Sequence, residues 1–132
     1  MLDDRASDAI TFWKKLTTVS PANCGQALER LEKALFEIGR FGEIEEICRT
    51  ILRQEPASLD ARLRLAAYFS KKADTAAAEE QLILAADSNP NSYQPAVELA
   101  RLYLTTKQDR NMIRALGMLD RVDERRQASA RS

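Results

Sequence analysis

Apolar residues recur along this chain at intervals of three and four residues, which is the spacing of one face of an α-helix. The pattern appears four times as a trio of apolar side chains. The trios are Ala9, Trp13 and Leu16; Ile44, Cys48 and Ile51; Ala78, Leu82 and Ala85; and Met112, Leu116 and Leu119. Between them stand pairs with a spacing of four, namely Leu31 and Leu35, Leu65 and Phe69, and Leu99 and Tyr103. No segment of useful length alternates as a strand would, so the pattern predicts an all-α chain in which each of these faces is packed.

Three prolines divide this pattern at regular intervals. Pro21, Pro56 and Pro90 are 35 and then 34 residues apart, and each is followed two residues later by Asn or Ser. The residue before a proline avoids helical geometry, whereas Asn and Ser cap the amino terminus of a helix. Each of these segments therefore predicts the end of one helix and the start of the next. The predicted caps are Asn23, Ser58 and Ser92.

Each period contains a second break between helices. Gly39 suits a tight helix carboxyl terminus, and Asp74 and Asp109 are the predicted N-caps of the helices that follow the two later breaks. The seven predicted helices span residues 4–18, 24–38, 42–54, 59–72, 75–88, 93–106 and 110–121. The polar segment 122–132 has no apolar face, and we predict that it is a frayed end or a linker.

A period of 34 residues with a helix–turn–helix in each unit resembles the tetratricopeptide repeat, or TPR. The matching residues are Ala9, Trp13 and Pro21 in the first unit; Gly39, Phe41 and Pro56 in the second; Ala66, Phe69, Ala78, Ala85 and Pro90 in the third; and Ala100 and Tyr103 in the fourth. Glu32 departs from the family, which has a small residue there, and Ala73 and Lys107 stand where the second unit has Gly39. The resemblance implies a right-handed superhelical solenoid of antiparallel helix pairs, with about three and a half repeats over residues 1–121. The first unit would consist only of its second helix.

An incomplete first unit has consequences for the whole protein, because a solenoid needs a cap over its terminal helix. We therefore expect the chain to be a fragment of a longer repeat protein, and the incomplete repeat offers a surface for self-association. The stretches LEKALFEIGRFGEIEEICRTIL and VDERRQASARS also resemble lipopolysaccharide assembly protein B, a bacterial membrane-anchored repeat protein that ends in a rubredoxin-like metal domain. That resemblance implies a structural arm of an envelope-lipid assembly regulator, whose anchor and metal-binding cysteines lie outside this chain.

Composition argues against most catalytic chemistries. The 132 residues include 20 basic and 20 acidic residues but no histidine, so the commonest general base and metal ligand is missing. Cys24 and Cys48 are too few for a disulfide framework or a zinc site, although a single bridge between them stays open. Cys48 belongs to an apolar trio, which favours a core thiol. We predict that the chain is not an enzyme, has no catalytic residues, and binds no cofactor or metal.

Balanced charge also gives no general attraction to nucleic acid or anionic lipid. The basic runs at 13–15, 70–72 and 124–127 are not interleaved with the stacking aromatic residues that RNA binding needs. The amino terminus lacks the basic region and apolar stretch of a signal peptide, and no run approaches the about 20 apolar residues of a membrane span. We expect no nucleic-acid partner, no direct membrane insertion and a soluble, cytoplasmic chain.

What remains is a surface for a protein or peptide partner. The TPR resemblance implies that the first helix of each pair lines a concave groove, and helical phase selects the side chains opposite the packed faces. The predicted partner-binding residues are Lys33, Phe36, Leu63, Lys71, Val97, Arg101 and Leu104. Four of these are apolar and three are cationic, so we expect an amphipathic or mildly acidic partner segment. The alternative is that this strip packs against neighbouring repeats outside the chain.

Overall fold

The helices follow one another along the chain with short connections. The computed structural model describes residues 4–20 and 24–131. Its elements are α1 (Asp4–Val19), α2 (Cys24–Glu37), α3 (Glu43–Gln54), α4 (Leu59–Lys71), α5 (Thr75–Ser88), α6 (Gln94–Thr105), a 3₁₀ turn (Asp109–Asn111) and α7 (Met112–Arg131). These ranges contain no strand, so the all-α prediction and the number of helices are confirmed.

The helices stack as antiparallel pairs. Consecutive helices pack on each other, and helices two apart also touch, since α2 contacts α4 and α1 contacts α3. The complete pairs are α2–α3, α4–α5 and α6–α7, while α1 occupies the place of the second helix in an incomplete first pair. The chain is thus a right-handed solenoid of about three and a half units, in which each pair is covered mainly by its neighbours.

Two of the predicted caps begin helices as expected. The hydroxyl of Ser58 accepts a hydrogen bond from the amide of Ala61 at 3.3 Å, and the carboxylate of Asp74 accepts one from the amide of Ala77 at 3.2 Å. Ser92 lies one residue further from its helix, but its hydroxyl accepts a hydrogen bond from the amide of Gln94, the first residue of α6, at 3.3 Å, as a capping side chain does. The helix α6 starts after Tyr93, with Pro95 in its first turn, where a missing amide hydrogen costs nothing. The third predicted cap, Asn23, lies outside the described residues.

The turns inside the three complete pairs share one backbone conformation. Gly39, Ala73 and Lys107 have φ values of 75°, 61° and 57°, which is the left-handed region. In each turn the next residue donates its amide to a carbonyl five positions earlier, and these bonds are 2.7 to 2.9 Å long. This is the Schellman arrangement that closes a helix, and it recurs even where the central residue is not glycine.

The interior is built from the faces that the pattern predicted for α2 to α6. The buried pairs include Leu31 with Leu35 and Leu99 with Tyr103. The trios of α3 and α5 are buried as well, namely Ile44, Cys48 and Ile51, and Ala78, Leu82 and Ala85. The prediction for α1 is only partly right, since its buried side chains among the described residues are Ile10 and Thr17, whereas the predicted trio of Ala9, Trp13 and Leu16 is half-buried at the edge of the core.

The predictions for α7 need correction. Its predicted trio is largely exposed, and the buried side chains are Ala115, Met118 and Val122 instead. The corresponding trios of α3 and α5 face α4 and α6, but no described helix follows α7. Asp109 is not the N-cap, because it opens the 3₁₀ turn before the helix.

The seventh helix also ends ten residues later than predicted. It continues to Arg131, so the prediction of a frayed end is wrong for the described part of the tail. Glu124 stands where a proline would have stopped the helix. Arg126 holds this extension against the fold, since its guanidinium lies 4.1 Å from the ring centroid of Tyr93 and donates to the carbonyl of Asn91 at 2.9 Å. That residues 122–132 link to another domain stays a prediction.

Candidate partner-binding clefts

A cleft of about 820 Å³ lies along the first helices of two neighbouring pairs, α2 and α4. We call it the first cleft. Four cations and three carboxylates line it, together with Gln26 and Phe36. The cations are Arg30, Lys33, Arg64 and Lys71, and the carboxylates are Glu29, Glu32 and Glu37. The first cleft therefore carries an excess of one positive charge.

One of these charge pairs explains the departure from the family pattern at Glu32. The guanidinium of Arg64 on α4 lies 3.4 Å from the carboxylate of Glu32 on α2, and both side chains are partly buried. The ion pair links the two helices at the wall of the first cleft, at the position where a small residue was expected. By contrast, Arg30 and Lys33 form no ion pair with any described side chain, so their charges are open to a ligand.

An aromatic group forms one end of the first cleft. The ammonium of Lys71 lies 5.2 Å from the ring centroid of Phe36 and 4.6 Å from that of Phe41, within cation–π range. Phe41 in turn packs on Tyr68, with ring centroids 5.6 Å apart. Phe36 remains 64% exposed, so a large apolar surface is held next to a fixed cation.

A second, smaller cleft of about 250 Å³ lies between α4 and α6. It is largely apolar, with Leu63 on one wall and Ala78 and Leu82 of α5 at its base. Lys71 lines this second cleft as well as the first cleft. Arg101 also lines it, but its guanidinium already pairs with Glu98 at 3.1 Å.

The structure brings together five of the seven predicted partner-binding residues. Lys33, Phe36 and Lys71 line the first cleft, and Leu63 and Arg101 join Lys71 in the second cleft. The other two lie elsewhere. Val97 lines a separate groove between α6 and α7, and Leu104 is exposed on α6 without lining either cleft. Sequence reasoning missed Arg30, Arg64 and Phe41, although the 34-residue register could have placed Arg64 near Glu32.

The thiols do not form a reactive centre. Burial raises the pKa of Cys48 to about 12, and it also raises the pKa of Cys24, whose sulfur lies 3.8 Å from the hydroxyl of Ser58. Both cysteines are buried and free. Among residues 4–20 and 24–131, no cluster of three or more Cys, Asp or Glu side chains is arranged to hold a metal ion. Within the same part of the chain, no helix combines the length and apolarity required to cross a bilayer.

Solved structures share this arrangement of helix pairs. The structure titled "MamA 41-end from Desulfovibrio magneticus RS-1" covers 92% of this chain and 68% of its own, with a TM-score of 0.64 at 15% identity. The fold is TPR-like. A second structure, "MamA RS-1 ArsTM double mutant", covers 93% of this chain and 68% of its own, with a TM-score of 0.63 at 14% identity. At such identity the likeness shows the fold alone.

Comparison of the amino-acid sequence with family models and with curated proteins gives no further support for the fold. No family model matches the chain, and no curated protein matches it. The TPR-like solenoid that the repeat pattern predicted is confirmed by the structures. The resemblance to lipopolysaccharide assembly protein B has no support from these comparisons.

Proposed function

We propose that this chain is a non-catalytic protein-interaction module, which binds an amphipathic and mildly acidic segment of a partner along α2, α4 and α6. The observation that carries the proposal is the position of Lys71, which lines both the first cleft and the second cleft. A segment that lies across Lys71 would contact both clefts at once. TPR-like solenoids generally offer such extended surfaces to partners rather than enclosed catalytic pockets.

Apolar contact with Phe36 would supply most of the affinity. Burying a large apolar side chain contributes about 1.5–3 kcal/mol, and aromatic residues including Phe are enriched at the centres of protein interfaces. An ion pair at an exposed position contributes only about 0–1 kcal/mol. Lys33 and Arg30 would therefore set the orientation of an acidic segment more than the strength of its binding, since the first cleft has only one excess positive charge.

The remaining predicted residues would contribute unequally to binding of the partner segment. Leu63 offers an apolar wall in the second cleft, whereas Arg101 would have to give up part of its pairing with Glu98 to hold a ligand carboxylate. Leu104 lies further along α6 and would be reached only by a longer segment. Val97 faces the groove between α6 and α7, so a segment in the two clefts would not contact it.

Selection of peptides displayed on phage against the immobilised chain tests this proposal. We expect enrichment of peptides that combine apolar with acidic residues. The double variant Phe36→Ala and Lys33→Glu should lose their binding, and because both side chains are exposed its helix content should not change. The matched control is Ile113→Ala, which removes a comparably exposed apolar side chain from α7. Peptides that bind the double variant as well as the parent chain would refute the clefts as the site.

A second candidate function is that of a structural arm. In this hypothesis the repeats hold a metal-binding or enzymatic domain encoded outside the chain, as in an envelope-lipid assembly regulator. Its support is the sequence resemblance in 31–52 and 122–132. A rubredoxin-like pair of CxxC motifs encoded directly downstream would favour the arm, and any other downstream sequence would remove that support.

A further inference from the structure

Lys71 supplies the excess positive charge of both clefts. The other charged side chains that line the first cleft are three cations and three carboxylates, so their charges balance. In the second cleft the other charged lining residues are Arg101 and Glu98, which pair with each other at 3.1 Å. The net charge that a bound segment would meet in either cleft is therefore that of Lys71.

The ammonium of Lys71 is fixed in position but has no acceptor of its own. It lies over the rings of Phe36 and Phe41, and Phe41 is held by its contact with Tyr68. Among the described residues, no ion pair and no hydrogen bond involves this ammonium. Aromatic rings attract a cation without taking up its three N–H donors, so these donors are open to an oxygen atom of a ligand.

Apolar surface lies on both sides of this ammonium. On the side of the first cleft stands the ring of Phe36, which is 64% exposed. On the other side, the second cleft presents Leu63, Leu82 and Leu102 together with three alanines. A carboxylate that reached Lys71 would thus lie between two apolar patches.

From this arrangement we infer that the partner segment carries one acidic residue between two apolar residues. The inference rests on the proposed function and specifies its ligand. The carboxylate binds Lys71, one apolar side chain packs on Phe36, and the other enters the second cleft. The two clefts lie on either side of α4, and a helix with its side chains is about 10 Å wide. Because an extended chain advances about 3.3 Å per residue, the two apolar residues are about three positions apart.

Two other unpaired cations are less suited to the central carboxylate. Arg30 and Lys33 line the first cleft but not the second. Lys33 is also four residues from both Glu29 and Glu37 on α2, which is the spacing at which opposite charges on a helix attract each other. These two cations would meet acidic residues nearer the α2 end of the segment.

Lys71 is therefore the residue that determines selectivity for an acidic centre. An exposed ion pair changes affinity by no more than about fivefold, so loss of the charge alone should weaken binding only modestly. Reversal of the charge does more, because it repels the acidic segment and attracts a basic one. We expect Lys71→Glu to select peptides with Lys or Arg between the two apolar residues.

A double-mutant cycle between the chain and a peptide tests the inference. Peptides are selected by phage display on the parent chain, and one is synthesised with its central acidic residue and with glutamine in its place. Fluorescence anisotropy gives the Kd of both peptides for the parent chain and for Lys71→Met, which keeps an unbranched apolar side chain. Glutamine should weaken binding to the parent chain about three- to fivefold and should not change binding to Lys71→Met.

Lys72→Met is the matched control. Lys72 is the next residue, is also exposed and has its ammonium 5.2 Å from the ring centroid of Tyr68, but it lines neither cleft. In this variant the glutamine peptide should be weakened as much as in the parent chain. Circular dichroism checks the fold, and Lys71→Gln replaces Lys71→Met if the methionine variant unfolds.

The possible failures of the inference and of the proposed function are distinct. Selected peptides without an acidic residue between apolar residues would overturn the inference. So would an equal effect of glutamine on the parent chain and on Lys71→Met, or coupling to Lys33→Met in place of Lys71→Met. In each of these cases the clefts remain the binding site. Failure to enrich any peptide on the parent chain would refute the proposed function, and the inference with it.

Discussion

The amide of Asp74 donates a hydrogen bond of 2.9 Å to the carbonyl oxygen of Phe69. This bond closes α4 in the same way as the corresponding bonds close α2 and α6, and it forces Ala73 into the left-handed region. A residue with a β-carbon is strained there by roughly 1–2 kcal/mol. Only the first of the three turns avoids this strain, because it has Gly39.

At these turns, removing a glycine and introducing one should therefore change the free energy of unfolding in opposite directions. Gly39→Ala should lower the free energy of unfolding by about 1 kcal/mol, whereas Ala73→Gly and Lys107→Gly should leave it unchanged or raise it by up to about 1 kcal/mol. Urea unfolding followed by circular dichroism measures these changes. Gly42→Ala is the control, because Gly42 has a helical φ of −57° and open space around it. Equal losses at Gly39 and Gly42 would contradict the role of the left-handed turn.

Stability should fall in acid through Glu43. Hydrogen bonds from Arg40 and then from Lys14 hold the pKa of the Glu43 carboxyl below its usual value. The unfolded chain therefore takes up this proton first as the pH falls. The contribution of Glu43 to the free energy of unfolding is complete above the pKa of this carboxyl in the unfolded chain, which is about 4.3. It is lost as the pH falls through the lower pKa of the carboxyl in the folded chain.

Urea unfolding between about pH 3 and pH 6 measures this dependence. Glu43→Gln should show a shallower loss of unfolding free energy on acidification than the parent chain. Arg40→Gln should also be shallower, since it removes the strongest cause of the shift. If both variants gave pH profiles parallel to that of the parent chain, the ion pairs at Glu43 would have no part in acid stability.

The two thiols should resist alkylation in the folded chain. With a pKa of about 12, only about one in ten thousand Cys48 side chains is a thiolate at pH 8, against about a quarter for an ordinary cysteine. Burial also raises the pKa of Cys24, so we expect its alkylation to be slow as well. Mass spectrometry after treatment with iodoacetamide should find almost no modification in buffer and two modifications per chain in concentrated urea. Rapid labelling of Cys48 in buffer would show that the interior of the second unit opens readily.

Substitutions of two leucines compare the contribution of a buried side chain to stability with that of an exposed one. Leu65 is fully buried on α4, and Leu104 is 62% exposed on α6. Leu65→Ala should cost about 2–5 kcal/mol of unfolding free energy, because it removes buried methyl groups and leaves a cavity. Leu104→Ala should change the unfolding free energy by no more than about 0.5 kcal/mol. Similar losses in thermal or urea unfolding would mean that Leu104 is packed in solution.

Much of the fold could be predicted because its signals are local. A 3.6-residue period selects the buried face of a helix, and the hydroxyl of Ser58 or the carboxylate of Asp74 reaches an amide only three residues away. The repetition of the pattern then indicated stacked pairs. The candidate site was predicted in part, since helical phase placed Lys33, Phe36 and Lys71 together on the first helices.

Contacts between units were beyond such local reasoning. The partner of Glu32 is Arg64 on another helix, and the ring that Arg126 covers belongs to Tyr93, on the segment before α6. Val97 was grouped with the cleft residues because it shares their phase, but α7 turns that side of α6 into a separate groove. Distances between helices decide these pairings, and the spacing of residues along a single helix does not predict those distances.

The sequence alone determined where α1 to α6 lie and which face of α2 to α6 is apolar, because backbone hydrogen bonding and side-chain period are properties of a single helix. Tertiary structure decided which apolar faces are buried. The trios ending in Ile51 and Leu119 are alike in sequence, yet only the first is covered, because α4 returns over α3 while α7 continues straight past its own groove. Burial depends on the next helix in space, and that is a property of the assembled solenoid.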